Sequence, residues 1–155
     1  MRLLVPVIAG LLFSVGCMSD GGSDEEVVDC AKETRADNFV IGFEKAGQLG
    51  KLSFKVMDMS PAPPTHDDNT WTIQINAMAA GAVGAPVTGA TMSVTPYMPD
   101  HGHPSAKSVT VEPQTSAGQY KLSPVNTWMP GLWETTINVN GVDGDKVVLK
   151  VCIPS

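Results

Sequence analysis

The fold is decided by residues 132–153, which read LWETTINVNGVDGDKVVLKVCI. Apolar and polar side chains alternate with a period of two at both ends of this stretch, which is the pattern of β-strands with one buried face. Its centre, residues 140–145, consists mainly of Asn, Asp and Gly, the residues that form tight turns between antiparallel strands. The stretch therefore predicts a β-hairpin with strands at residues 132–139 and 146–153.

The rest of the chain repeats this pattern in short segments separated by Gly and Pro. The clearest segment is TWTIQIN at residues 70–76, in which Trp71, Ile73 and Ile75 are predicted to face inward. Further strands are predicted at residues 38–44, 52–59, 90–97, 108–112 and 118–122. The proline-rich residues 61–64 must leave the sheet, because proline cannot donate to a central ladder. These features predict an all-β fold, an Ig-like antiparallel β-sandwich of seven or eight strands, with an eight-stranded barrel as the alternative.

The first residues have the features of an export signal, since a short basic start is followed by an apolar run too short to span a membrane comfortably. The run ends in FSVGC at residues 13–17, which resembles a bacterial lipoprotein cleavage box with a serine in place of the usual leucine. We predict a lipoprotein signal peptide at 1–16, lipidation of Cys17, a flexible polar tether at 17–29 and one domain at 30–155. The alternative is an ordinary signal peptide that leaves Cys17 as a free thiol.

The remaining two cysteines are Cys30 and Cys152. Because exported proteins reach an oxidising compartment, we predict a disulfide between them. Closing a loop of roughly 120 residues stabilises a fold by about 4–5 kcal/mol in the chain-entropy model. The alternative, in which the two thiolates hold a metal ion, is less compatible with an oxidising compartment.

The predicted location is the cell envelope, with the lipid as the contact with the membrane. Met18, and not aspartate, follows Cys17, which by the usual enteric sorting rule favours the outer membrane. The domain is then expected in the periplasm or at the cell surface.

The charge and the motifs limit the classes of function. The net charge of −6 becomes −7 once residues 1–16 are removed, because Arg2 is their one charged residue. An acidic body argues against nucleic acid as a partner. No nucleophile–base pair or catalytic motif can be identified, so no enzyme is predicted.

Residues 98–104 read MPDHGHP and hold two of the three histidines in the chain. His101 and His103 are two positions apart, so an extended backbone directs both imidazoles to the same side. The flanking prolines and Gly102 make a stiff segment in which the two rings can converge. Imidazole suits copper, zinc and nickel, whereas the thioether of Met98 selects Cu(I). This segment is therefore a predicted metal site, with copper as the favoured ion.

Five segments together resemble the YtkA-like domain family, which is similar to FixH proteins and to Ig-like periplasmic copper-handling domains. The segments are PAPP at 61–64, DNTW at 68–71, VTPYMPDHGH at 94–103, GQY at 118–120 and MPGLW at 129–133. The resemblance covers roughly residues 48–140 and implies a small exported β-sandwich, often a lipoprotein, with a metal role. FixH proteins help to build copper-dependent oxidases through a membrane-anchored domain, but this chain lacks the transmembrane helix that they carry.

The resemblance pairs the histidine segment with a second Met-Pro turn before Trp133. The predicted copper ligands are Met98, His101, His103 and Met129, a set suited to Cu(I). Asp100 in place of one methionine would suit Cu(II) or Zn(II) instead. A second group of candidate ligands lies in another segment and consists of His66, Met57 and Met59. These residues could join the site only if the sandwich brings their end of the domain close to the histidine segment.

The predicted function is copper trafficking or homeostasis by an envelope lipoprotein. The alternative is a metal-free interaction or structural module that presents the same loops to an envelope protein. In that case the methionines fill gaps at the edge of the core, and the histidines bond to backbone carbonyls.

Overall fold

The alternating segments form two antiparallel β-sheets in the computed structural model, which describes residues 27–141 and 143–155. The strands among these residues are β1 (Glu44–Ala46), β2 (Leu52–Ser60), β3 (Asp67–Ala79), β4 (Ala82–Pro86), β5 (Met92–Met98), β6 (His103–Pro104), β7 (Thr110–Pro113), β8 (Gln119–Thr127), β9 (Gly131–Val139) and β10 (Lys146–Ile153). The predicted β-sandwich is confirmed. Seven of the eight predicted strands are present, and β1, β4 and β6 were not predicted. No helix in this part of the chain is long and apolar enough to cross a membrane. The predicted signal peptide and Cys17 lie outside the described residues.

Two strand registers decide which loops become neighbours. The larger sheet has the order β1-β2-β3-β8-β7, with β4 paired to β3, and the smaller sheet has the order β10-β9-β5-β6. In the smaller sheet Tyr97 of β5 lies opposite Glu134 of β9, so the segment after β5 lies beside the loop before β9. In the larger sheet Asp67 of β3 lies opposite Thr127 of β8, so the loop before β3 lies beside the loop after β8.

The core lies between the sheets and is formed by the apolar positions of the alternating strands. Trp71, Ile73 and Ile75 are fully buried, as predicted from their spacing. Trp133 is also buried, and its indole N–H donates to the carbonyl oxygen of Met129 at 2.9 Å. Aromatic side chains of this size supply a large part of the apolar area that a small sandwich buries.

Two local predictions are corrected by the structure. Residues 38–44 are not a strand: β1 begins only at Glu44, and the preceding segment is a loop whose Phe39 ring packs on Trp71 with a centroid distance of 4.6 Å. The alternation there reflects packing of a loop onto the core. The Ala- and Gly-rich residues 77–89, which were predicted to be a loop with a short hairpin around Gly84 as an alternative, instead contain the end of β3 and all of β4, and the turn between these strands lies at Ala80 and Gly81.

The N-terminal segment of the domain covers the free edge of β10. Cys30 and Cys152 form a disulfide, the predicted pair. Further along, the amide of Asp37 donates to the carbonyl of Lys150 at 2.9 Å, and the amide of Gln48 donates to that of Lys146 at 2.7 Å. These bonds satisfy carbonyls that would otherwise form an open sheet edge, which is a common site of aggregation.

Candidate metal centre

The histidine segment forms a tight hairpin between β5 and β6. Met98 pairs with His103, and the amide of Gly102 donates to the carbonyl of Met98 at 2.9 Å. Gly102 has a φ of +70°, a left-handed conformation that glycine adopts without steric cost. His101 therefore lies in the turn, and His103 lies on the short strand that follows it.

The two histidine rings of the hairpin are neighbours, but they have different surroundings. The ring centroids of His101 and His103 are 5.9 Å apart, with planes 71° apart. The ring of His103 stacks on Trp128 at 5.4 Å and meets Trp133 edge-on at 6.2 Å. Its Nδ1 lies 3.1 Å from the carbonyl oxygen of Pro104. Because a carbonyl only accepts, the neutral ring that makes this bond carries its proton on Nδ1 and keeps a lone pair on Nε2.

Met129 lies in the loop between β8 and β9, at the same end of the sandwich as the hairpin. Its side chain is half-buried and packs against the core, while its carbonyl is bonded by Trp133. Met129 and His101 line one cleft of about 530 Å³. The two residues share this cleft because the register of β5 against β9 places the end of β5, which leads to His101, beside the beginning of β9, which follows Met129.

Met98 belongs to the core, although it also borders the hairpin. Its side chain is 1% exposed, and its terminal methyl group packs against the α-carbon of Gly131, where a Cβ would collide with it. Met98 and His101 border a second cleft of about 370 Å³. The low exposure of Met98 means that its sulfur reaches an ion in that cleft only if the side chain leaves its packed position.

Asp100 is held by an arginine from the N-terminal segment. Arg35 Nη1 and Nη2 donate to the two carboxylate oxygens of Asp100, both at 2.7 Å, while Arg35 also bonds Glu33. The hydrogen bonds from Arg35 hold the pKa of Asp100 below its ordinary value. The carboxylate is therefore ionised, and both of its oxygens accept hydrogen bonds from the Arg35 guanidinium. Asp100 is thus less available as a metal ligand in this arrangement.

His66 lines the same cleft as His101 and Met129. In the sequence His66 belongs to another segment, and its participation was predicted to depend on the packing of the sandwich. The register of β3 against β8 does bring His66 close, because it places the segment before β3 beside the loop that carries Met129. Met57 and Met59 lie on β2 and do not line this cleft.

The chemistry of the cleft depends on sulfur as well as nitrogen. Within residues 27–141 and 143–155, no three His, Cys, Asp or Glu side chains come together in a group that could hold a metal ion. A closed zinc site normally has four such ligands. The donors present here are imidazole and thioether, which are ligands that suit Cu(I).

Comparison with known proteins places the sandwich in a family. A family profile described as YtkA-like matches residues 49–138, from just before β2 to nearly the end of β9, and this range includes the hairpin, His66 and Met129. The chain has no significant match among curated proteins or among solved structures. The profile covers more than half of the chain and agrees with the resemblance in its motifs, so the chain belongs to the YtkA-like family.

Proposed function

We propose that this protein binds a copper ion, as Cu(I), at the end of the sandwich where the β5–β6 hairpin meets the β8–β9 loop. The observation that carries the proposal is the shared cleft of His101 and Met129, two residues that are 28 positions apart in the sequence. His103 adjoins His101, and Met98 adjoins the hairpin from the core. The motif-based ligands Met98, His101, His103 and Met129 all belong to this end of the domain, which supports the proposal.

The local chemistry supports Cu(I) in preference to Zn(II). A thioether is a soft ligand that adds little affinity for zinc and much for Cu(I). The orientation of His103 by a backbone carbonyl is typical of histidines that bind metals, because the second nitrogen is then fixed in direction. The hairpin is short and hydrogen-bonded, so little conformational entropy is lost when a ligand binds.

The cellular role that fits such a site is copper trafficking or homeostasis in the cell envelope. We propose a signal peptide at residues 1–16, a lipid on Cys17, a tether at 17–29 and a domain at 30–155, with the outer membrane as the favoured location. The disulfide supports export, because such bonds persist in oxidising compartments. An open cleft suits a carrier, since an incoming protein can reach the ion.

Replacing both hairpin histidines is expected to weaken Cu(I) binding by at least 100-fold. The full-length protein in mild detergent is titrated with Cu(I) in competition with a chromogenic chelator, and in parallel with Zn(II). The His101→Ala/His103→Ala variant should lose Cu(I) affinity because both imidazoles of the hairpin are gone.

Met78→Ala is the matched control, because Met78 is a half-exposed methionine near the opposite end of β3. This control should bind Cu(I) as the wild type does. Binding weaker than micromolar in the wild type, or equal affinity in the double-histidine variant, would contradict the proposal.

A metal-free interaction module is the second candidate, and exposed aromatic residues favour it. Trp128 is 40% exposed and Tyr97 is 38% exposed, and both lie at the hairpin end of the domain. Aromatic residues are enriched in protein–protein interfaces. This candidate predicts capture of an envelope protein that survives chelators and the loss of both hairpin histidines, but is lost in a Trp128→Ala variant.

A further inference from the structure

The three histidines of the chain come from two distant segments, yet all of them lie around the loop that carries Met129. His66 and His101 share a cleft with Met129, and His103 contacts the neighbouring Trp128. Nothing in the local sequence around His66 resembles a metal motif. Its position depends on how β3 and β8 pair.

The segment that carries His66 is fastened to the end of β8 by a buried asparagine. The Asn69 side chain accepts from the amide of Thr65 at 2.9 Å and donates to the carbonyl of Thr65 at 2.9 Å. It also donates to the hydroxyl of Thr127 at 3.0 Å, and that hydroxyl donates to the carbonyl of Thr65 at 2.9 Å. Asn69 and Thr127 are both fully buried. The backbone on either side of the cleft is therefore held at a fixed separation, with His66 on one side and Met129 on the other.

The side chain of His66 is accessible, and a carboxylate lies beside it. It is exposed, and its Nδ1 faces the Asp67 carboxylate at 3.5 Å. A carboxylate on the Nδ1 side of an imidazole favours a proton there and leaves the Nε2 lone pair for a metal ion. Met98, by contrast, is not accessible to an ion, because the residue is buried in the core.

We propose that His66, His101 and Met129 are three ligands of one Cu(I) ion in the cleft, and that His66 replaces Met98 and His103 of the motif-based set, neither of which lines this cleft. This assignment rests on the proposed copper function and specifies its ligand set. Two imidazoles and one thioether from three separate loops form a three-coordinate site that suits Cu(I) and is too poor in nitrogen and oxygen donors for a closed zinc site. Bound copper then cross-links the β2–β3, β5–β6 and β8–β9 connections. It should raise the melting temperature, as any ligand specific for the folded state does.

The test compares two single substitutions in the full-length protein, titrated with Cu(I) alone. His66→Ala should weaken Cu(I) binding about tenfold or more and reduce the copper-induced rise in melting temperature. Met98→Leu conserves volume. Its Cu(I) affinity should stay within about threefold of the wild-type affinity, and its copper-induced rise in melting temperature should be unchanged. The copper-free melting temperature of His66→Ala should match the wild type, because the removed side chain is exposed.

A direct readout comes from the imidazole C–H resonances of the three histidines, assigned by single substitution. On addition of one equivalent of Cu(I), the His66 and His101 resonances should both shift. If the wild type binds Cu(I) while the His66 resonance stays fixed and His66→Ala binds normally, this ligand set is wrong and the copper function stands. If the wild type does not bind Cu(I), the copper function fails and the ligand set fails with it.

Discussion

Reducing the disulfide between Cys30 and Cys152 is expected to lower the free energy of unfolding by about 4–5 kcal/mol. The bond joins positions 122 residues apart, so its loss returns a large amount of conformational freedom to the unfolded chain. It also holds the N-terminal segment against the outer edge of β10. Arg35 of that segment in turn holds Asp100, the neighbour of His101.

The measurement is urea unfolding at pH 7, with and without a reducing agent, on a Cys17→Ser background so that position 17 carries neither a lipid nor a thiol that could exchange. A Cys30→Ala/Cys152→Ala variant should reproduce the reduced protein. The Cys17→Ser protein without reductant is the reference with which the reduced protein and the double variant are compared. An unchanged unfolding midpoint on reduction would show that the bond contributes nothing to stability.

Replacing Asp145 by asparagine is expected to cost about 3 kcal/mol or more at pH 7. The Asp145 side chain belongs to a residue only 3% exposed, and its two oxygens accept four backbone N–H groups. The donors, at 2.8–3.2 Å, are the amides of Leu49, Lys51, Leu52 and Lys146. An asparagine offers one accepting oxygen and turns its NH₂ group toward the remaining donors, so buried N–H groups lose their partners.

The effect of this substitution should depend on pH. Burial raises the pKa of Asp145, but the four N–H donors lower it by more, so the pKa lies below its ordinary value. A carboxyl with a depressed pKa in the folded state stabilises the fold above its unfolded pKa of about 3.9, and this stabilisation is lost as the pH falls through the folded value. The difference in unfolding free energy between wild type and Asp145→Asn should therefore be largest near neutral pH and shrink below about pH 4.

Asp143→Asn is the matched control, because Asp143 lies in the same turn and is exposed. Its unfolding free energy should stay within about 0.5 kcal/mol of the wild type. If Asp145→Asn behaves like this control in urea unfolding at pH 7 and pH 3, the carboxylate is not the stabilising group that its four hydrogen bonds indicate.

The long-range role of Asp145 was not predictable from its local sequence. The run NGVDGD was correctly interpreted as a hairpin turn, and β9 and β10 do pair across it. Its last residue also binds the turn before β2, nearly 100 positions earlier, and Gly47 is required there because a Cβ would collide with the Asp145 carboxylate. No local pattern marks a carboxylate that serves a distant turn, since the partners are backbone groups common to every residue.

The candidate metal centre was also predictable from the sequence only in part. The prolines around His101 and His103 and the glycine between them predicted a stiff segment in which the two rings converge. The structure has a tight hairpin there instead of an extended segment, with Gly102 in its turn and the ring centroids 5.9 Å apart. The burial of Met98 was not visible in the sequence, because a methionine at the end of a strand has the same local pattern whether its sulfur faces solvent or core.

The sequence by itself determined the fold class, the inward faces of the strands and the disulfide pair. Alternation and turn chemistry are local properties, and a cysteine pair can be found by counting. Tertiary structure alone decided which residues share the cleft. The shared cleft depends on the registers of β3 with β8 and of β5 with β9, in which strands separated by other elements pair through backbone hydrogen bonds. Those bonds are alike at every residue, so side-chain packing across the whole sandwich selects the register that brings His66 to Met129.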